Sequence, residues 1–210
     1  MLALVDKPDP LEGPYFEETI YVTPSGLPAA VQGEIAAATA AAVRALGLED
    51  GPVHAELRLD GTTPVVIELA ARSIGGLCSR VLRFGAGIRL EELILRHALG
   101  LPIETLVREP GPAGVMMIPI PRGGRLREVH GLESARALSG IEGVTITIPL
   151  GQRVVPLPEG RRYLGFIFAK GETPAVVEEA LRHAHGLLDF VIKRDRPQPA
   201  RPRIRHPAKR

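Results

Sequence analysis

Apolar and polar residues alternate most regularly within residues 51–76, GPVHAELRLDGTTPVVIELAARSIGG. The alternation over residues 53–59 is typical of a strand with one buried face, and residues 65–69 are apolar and rich in β-branched side chains. Between these runs, Asp60 and Gly61 favour a tight turn. The pattern therefore predicts a β-hairpin made of two antiparallel strands.

Helices are predicted in five further segments. The first has Val31, Ile35 and Leu46 on one apolar face, and Gly47 follows it as a stop signal. The last carries a similar stripe that extends to Val191, with acidic and basic residues on the opposite side. The predicted helices cover residues 28–47, 77–84, 90–99, 131–139 and 173–191.

Short apolar or alternating runs predict additional strands. The segment RGGRLREV, residues 122–129, is interpreted as a turn followed by a return strand. Strands and helices mix without a strict β-α-β alternation, so the fold class expected is α+β. The other predicted strands cover residues 2–5, 16–23, 114–121, 144–148 and 163–169.

Composition is that of an ordinary globular protein and limits the compartment. The chain has 210 residues, of which 45% are hydrophobic and 24% charged, enough for one large domain or two small ones. Its one cysteine, Cys78, excludes an internal disulfide framework and is interpreted as a small buried residue. No apolar run approaches a membrane span, and the N-terminus has no signal-peptide pattern. We therefore expect a cytoplasmic protein that does not act in a membrane.

Charge and proline content divide the chain into parts. The net charge of +2 separates into +7 for residues 193–210 and −5 for residues 1–192. Nucleic-acid binding is not expected of the body, since only the tail is basic and the acidic body has few aromatic residues. A Pro-rich stretch at 101–112 indicates a boundary. The expected division is a first domain at 1–109, an α+β subdomain at 110–192 and a disordered basic tail at 193–210.

Two carboxylates stand out on the predicted hairpin. Glu56 lies on its first strand and Glu68 on its second, so antiparallel pairing brings them together if they point to the same face. Paired carboxylates need a cation between them, and oxygen ligands of this kind suit Mg²⁺. Arg72, which follows, could hold an anionic group. The alternative is that both glutamates are solvated side chains on an exposed hairpin.

Two other residues near the hairpin are weaker candidates. Lys7 could contact a phosphate, although a lone lysine in a Pro-rich loop is more often solvated. His54 stands two residues before Glu56, but no nucleophile is evident for it. Neither residue is included among the predicted site residues.

The spacing of the hairpin residues resembles a known motif. Glu56, eleven residues, Glu68, then Arg72 and a Gly-Gly pair resemble the metal-binding hairpin of the ATP-grasp superfamily, which reads approximately E-x(11)-E-x-N-x-R. Ala70 occupies the position of the usual Asn, a change that the L-amino-acid ligase branch tolerates. Residues 160–185, GRRYLGFIFAKGETPAVVEEALRHAH, also resemble the closing subdomain of such ligases.

The resemblance implies a fold and a set of roles. The fold would be the C-terminal half of an ATP-grasp enzyme, an antiparallel sheet with packed helices, followed by a small α+β closing subdomain. Glu56 and Glu68 would bind Mg²⁺ against ATP, and Arg72 would contact both nucleotide and substrate as the catalytic residue. Gly75 and Gly76 would bind the substrate carboxylate through backbone N–H groups. The implied reaction joins a small-molecule carboxylate to an amine through an acyl phosphate.

The resemblance covers only the later part of a complete ATP-grasp enzyme. No phosphate-binding glycine loop precedes the hairpin. We therefore expect that the chain works with a missing N-terminal half or as a homo-oligomer. The alternative is a non-catalytic, truncated module that acts in binding or assembly.

Overall fold

The computed structural model describes residues 1–9, 18–85 and 87–194. Most of the predicted basic tail, residues 195–210, lies outside the described residues. The helices are α1 Ala29–Ala45, α2 Leu90–Ala98, α3 Leu132–Arg136 and α4 Pro174–Gly186. The strands are β1 Ile20–Thr23, β2 His54–Asp60, β3 Thr63–Ala70, β4 Arg83–Phe84, β5 Ile88–Arg89, β6 Ala113–Ile118, β7 Gly124–His130, β8 Ile141–Ile146, β9 Arg153–Val154, β10 Gly165–Lys170 and β11 Asp189–Lys193.

The main sheet has four antiparallel strands in the order β1-β6-β10-β8. Helix α4 packs on one face of this sheet, against β1, β6 and β10. Thr173 caps the helix by accepting a hydrogen bond from the Val176 backbone N–H, and Pro174 fits its first turn. Val177 and Leu181 on its inner face are fully buried in the largest apolar cluster.

The second face of the main sheet is also covered. Its aromatic and aliphatic residues pack against the segment before and within a short 3₁₀ turn, Cys78–Val81. Because both faces are buried, the strands carry nearly continuous apolar runs, as in the sequence AGVMMI of β6. The buried residues of this second face are Tyr21, Val115, Met117, Phe166 and Phe168, together with Cys78.

Three smaller sheets complete the fold. Strands β2 and β3 form the predicted hairpin, β4 and β5 form another, and β11, β7 and β9 form a three-stranded sheet in that order. Helix α1 packs against β3. The fold class is α+β, as predicted. Among the helices of the described residues, none is long and apolar enough to cross a membrane.

Several element predictions were wrong in their extent. Residues 2–5 are not a strand, and near them the structure has a single bridge between Asp6 and Val22. The helix predicted for 173–191 ends at Gly186, since its stripe continues into strand β11, where alternate residues also face the core. The helix predicted for 77–84 is only the 3₁₀ turn.

Two predictions concern how segments associate. The return strand predicted within 122–129 is present as β7, but it pairs with β9 and β11 and not with β6. Strand β1 comes before the predicted boundary at 109/110 and pairs with β6 beyond it. The division into 1–109 and 110–192 therefore remains a proposal about units that share one sheet.

Candidate functional site

The register of the β2–β3 hairpin places Glu56 directly opposite Glu68. The strand pairing is regular from the Asp60–Thr63 pair beside the turn to the Leu57–Val66 pair. A bulge then leaves one residue of β3, Ile67, without a partner in the register. Without the bulge, Glu56 would face Ile67, and the two carboxylates would point to opposite faces of the hairpin. The bulge therefore brings the predicted carboxylate pair together.

Glu56 has a cationic neighbour from the first residues of the chain. The Lys7 ammonium lies 3.1 Å from Oε2 of Glu56 and also pairs with the Glu18 carboxylate. Lys7 and Glu56 are both largely buried, with side chains 20% and 23% exposed. The expectation that Lys7 is merely solvated was therefore wrong, because the loop folds back on the hairpin.

Two tyrosines fix the position of Glu18. The Tyr21 hydroxyl donates to the Glu18 carboxylate, and the Tyr163 hydroxyl donates to the Glu18 backbone carbonyl at 3.0 Å. Burial and the adjacent Glu18 charge raise the pKa of Tyr21, so it stays protonated and remains a donor. Residues far apart in sequence thus support one carboxylate beside the hairpin.

Glu68 and Arg72 form the more open side of the site. The Arg72 Nη2 lies 3.4 Å from Glu68 Oε1, and both side chains are just over half exposed. An ion pair with this exposure contributes little to stability. Arg72 also donates to the Ser73 carbonyl at 3.0 Å. The guanidinium is therefore held loosely and can turn towards an anion bound near Glu68.

His54 lies on the same strand as Glu56 and two residues before it, so both side chains share a face. Its Nδ1 is 3.9 Å from Glu56 Oε1 and is buried without a hydrogen-bond partner among the described residues. Burial lowers the pKa of His54, while the Glu56 carboxylate opposes that change. In the hairpin register, His54 faces Ala70, the position that usually carries Asn in the ATP-grasp motif.

The two glycines after Arg72 have different surroundings. Gly76 adopts a φ of +61°, and a Cβ there would lie 3.1 Å from the Phe166 ring, so the chain passes close to the sheet. A Cβ on Gly75 would meet nothing within 4 Å in the described structure. Cys78, two residues further, is buried, and burial raises the pKa of its thiol to about 12, which fits the predicted inert role.

The chemistry of the hairpin fits a hard divalent cation only in part. Two opposed carboxylates match Mg²⁺, which commonly takes one or two carboxylates and completes its coordination with phosphates and water. Within residues 1–9, 18–85 and 87–194, no group of three His, Cys, Asp or Glu side chains is arranged as a complete metal site. Glu56 and Glu68 by themselves would leave the remaining coordination of a bound metal to other oxygen atoms, such as those of a nucleotide or of water.

The structure adds residues that the sequence analysis missed. Lys7, Glu18 and Tyr21 surround Glu56, although no spacing motif connects them with the hairpin. The available signal was the opposite charge of Lys7 and Glu18, which lies shortly before β1. That signal is weak without the contact between the N-terminal loop and the hairpin.

Family comparisons cover both parts of the chain. Residues 1–81 match the family model of the ATP-grasp domain. Residues 116–193 match the model of the L-amino acid ligase C-terminal domain 2. The first match contains the hairpin with Glu56 and Glu68, and the second runs from the second half of β6 through β11.

Solved structures share this fold. The L-amino acid ligase from Bacillus licheniformis is 31% identical with a TM-score of 0.80, and the alignment covers 91% of this chain and 48% of that one. Phosphoribosylglycinamide synthetase from Anaerococcus prevotii is 18% identical with a TM-score of 0.67, covering 84% of this chain and 46% of that one. The second likeness shows the fold alone.

A curated relative gives the same grouping. Carnosine synthase 1 from Gallus gallus is 34% identical over 131 residues, which are 60% of this chain and 14% of that protein. The chain spans about half the length of the two solved structures and a smaller share of this relative. The chain is thus similar to the ATP-grasp domain over residues 1–81 and to the L-amino acid ligase C-terminal domain 2 over residues 116–193.

Proposed function

We propose that the protein takes part in the ATP- and Mg²⁺-dependent ligation of a carboxylate to an amine. The observation that carries this proposal is the bulged hairpin, which sets Glu56 opposite Glu68 with Arg72 four residues further on. A superfamily likeness alone would support the fold. The opposed carboxylates add the ligand chemistry that metal-assisted phosphoryl transfer needs.

Each residue of the site has a distinct role in this proposal. Glu56 and Glu68 hold Mg²⁺, and Arg72 stabilises the charge that develops on the transferred phosphoryl group. Lys7 pairs with both Glu56 and Glu18 and so offsets the repulsion between their carboxylates. When bound, the Mg²⁺–ATP complex supplies the phosphoryl group that converts a carboxylate into an acyl phosphate, open to attack by an amine.

The substrate is placed beside Arg72 in the same proposal. Backbone N–H groups at Gly75 and Gly76 bind the reacting carboxylate, since the absence of side chains there lets a ligand approach the main chain. The substrates are a small-molecule carboxylate and a small-molecule amine. The opposite face of the nucleotide is covered by a partner, which is either an N-terminal half or a second copy of this chain. This chain covers about half the length of the two solved structures, which supports the proposal that a partner supplies the rest of the site.

The test is calorimetric binding of a non-hydrolysable ATP analogue to this chain with and without Mg²⁺. We expect Mg²⁺-dependent binding that weakens by at least about tenfold in Glu68→Gln and in the double variant with Glu56→Gln, because each change removes a carboxylate ligand. Glu104→Gln, which alters an exposed carboxylate outside the site, serves as the matched control.

Two outcomes contradict the proposal. Unchanged affinity in the double variant would show that the hairpin is not the metal site. Absence of binding by every form would favour a non-catalytic module that retains the fold.

A further inference from the structure

Three arginines and Gly76 line one cavity. The cavity has a volume of about 370 Å³, and its wall includes Arg80, Arg83 and Arg89. Gly76 belongs to the loop to which we assign the reacting carboxylate of the substrate. The cavity therefore places a group of positive charges beside the loop of the proposed reaction centre.

The carboxylate in the wall of this cavity, that of Glu91, already has a hydrogen-bond partner. Glu91 accepts a hydrogen bond from the Ser79 hydroxyl. That bond lowers the pKa of Glu91, and the charges of Arg83 and Arg89 act in the same direction. No ion pair within 4 Å joins any of the three arginines to a carboxylate of the described residues. The cavity thus has an excess of positive charge.

Two of the arginines are held in place by neutral partners. The Arg80 guanidinium lies 5.4 Å from the centre of the Phe168 ring, a cation–π contact. Arg83 Nη1 donates to the Leu82 carbonyl at 3.1 Å. Both contacts restrict the side chains and leave further N–H donors of each guanidinium available, because a guanidinium has five.

A second cavity, with a volume of about 560 Å³, is also lined by Arg80 and Arg83. Its other cations have partners within the chain, since Lys170 lies 3.2 Å from Glu142 and Arg136 lies 3.0 Å from Glu133. The excess charge therefore resides on Arg80 and Arg83, which line both cavities, and on Arg89, which lines the cavity at Gly76.

We infer that the cavity at Gly76 is a subsite for a second anionic group, carboxylate or phosphate, on the substrate that is ligated. This inference rests on the proposed function and names its substrate class: an acid with a further anionic group. Guanidinium groups bind carboxylate and phosphate with parallel N–H donors, and clustered like charges are stabilised when such an anion lies between them. A neutral analogue of the same shape would leave those charges unpaired.

Matched ligands test this inference on the chain itself by NMR titration. L-glutamate and L-glutamine have nearly the same shape and differ in the distal charge, whereas O-phospho-L-serine and L-serine differ by the whole phosphate group. We expect L-glutamate or O-phospho-L-serine to bind at least about tenfold more tightly than its neutral counterpart. The stronger of the two identifies whether the distal group is a carboxylate or a phosphate.

Substitutions locate the binding. Arg83→Gln should remove most of the preference for the charged ligand, and Arg83→Lys should retain part of it. Arg96→Gln is the matched control, because Arg96 lies on α2 and pairs with Glu92 outside the cavity. The amide spectrum of each free variant shows whether it remains folded.

Equal binding of charged and neutral ligands, absence of binding, or an unchanged preference in Arg83→Gln would overturn the inference. The calorimetric test of Glu56 and Glu68 is separate, because these titrations contain no nucleotide. A preserved preference for the anion with no nucleotide binding would refute the proposed function and leave the anion subsite standing.

Discussion

The ammonium group of Lys7 lies between two carboxylates and close to an aromatic ring. It pairs with Glu18 and Glu56, and it is 5.4 Å from the centre of the Tyr21 ring. Two carboxylates in a partly buried position repel each other unless a cation is present. At the scale of single residues, Lys7 therefore offsets the repulsion between Glu18 and Glu56 at the position where we propose that Glu56 binds a metal.

His54 gives a residue-scale prediction about the same carboxylate. Its buried Nδ1 lies 3.9 Å from Glu56 Oε1, and a small movement would let it donate a hydrogen bond that orients the carboxylate. We expect His54→Ala to weaken Mg²⁺-dependent nucleotide-analogue binding by about tenfold or more, the usual effect of losing such a partner. Calorimetry measures this change.

The conservative variant separates positioning from general structure. Asn carries a nitrogen near the place of Nδ1, so His54→Asn should retain most of the affinity, whereas His54→Gln places its nitrogen further out and should not. If His54→Ala binds as tightly as the unaltered protein, His54 does not position Glu56.

At the scale of elements, the close approach of α4 to β6 depends on a glycine. A Cβ at Gly114 would lie 2.7 Å from Val177 Cγ1, 3.0 Å from the Tyr21 carbonyl oxygen and 3.1 Å from Leu181 Cδ1. Two of these neighbours are buried side chains of α4, and the third is main chain. There is no space for a methyl group unless the helix moves away from the sheet.

Gly114→Ala should therefore lower the free energy of unfolding by about 1–3 kcal/mol. Gly33→Ala is the matched comparison, since a Cβ there would meet nothing within 4 Å beyond its own helix and chain neighbours among the described residues. In the interior of α1 that change should stabilise the protein by about 0.5–1 kcal/mol. Urea unfolding followed by circular dichroism measures both, and a stable Gly114→Ala variant would mean that α4 packs less closely.

At the scale of the whole molecule, contacts between distant segments join the two predicted parts of the chain. Strand β1 pairs with β6, and Arg182 of α4 lies 2.5 Å from the Asp9 carboxylate. The bond from Tyr163 to Glu18 spans 145 residues. The sheet that supports the closing subdomain therefore includes a strand from the same region as the site.

These contacts predict cooperative unfolding. We expect circular dichroism and tyrosine fluorescence to report one coincident transition in denaturant, because separation of the two parts would expose the edge of β6 and its apolar neighbours. Tyr21 and Tyr163, which lie near Glu18, are suitable probes, and the chain contains no Trp. Two separate transitions would contradict this prediction and would support independent units on either side of residue 109.

Local patterns in the sequence determined much of this protein. The period of the apolar residues was sufficient to predict the hairpin, α1 and the start of α4, because each of these elements depends on residues that are neighbours in the sequence. The spacing of Glu56, Glu68 and Arg72 was sufficient to identify the superfamily. Sequence patterns were weaker where an element ended, as at Gly186, because both a helix and a strand can continue the same apolar stripe.

Only the tertiary structure decided which side chains meet. The bulge that sets Glu56 opposite Glu68 is one extra residue in the pairing, and the same two-residue turn without the bulge would pair Glu56 with Ile67. The pairing of Lys7 with both Glu18 and Glu56 joins the first residues of the chain to the hairpin by packing. Such contacts depend on which surfaces bury together, a property of the whole chain that no short stretch of sequence contains.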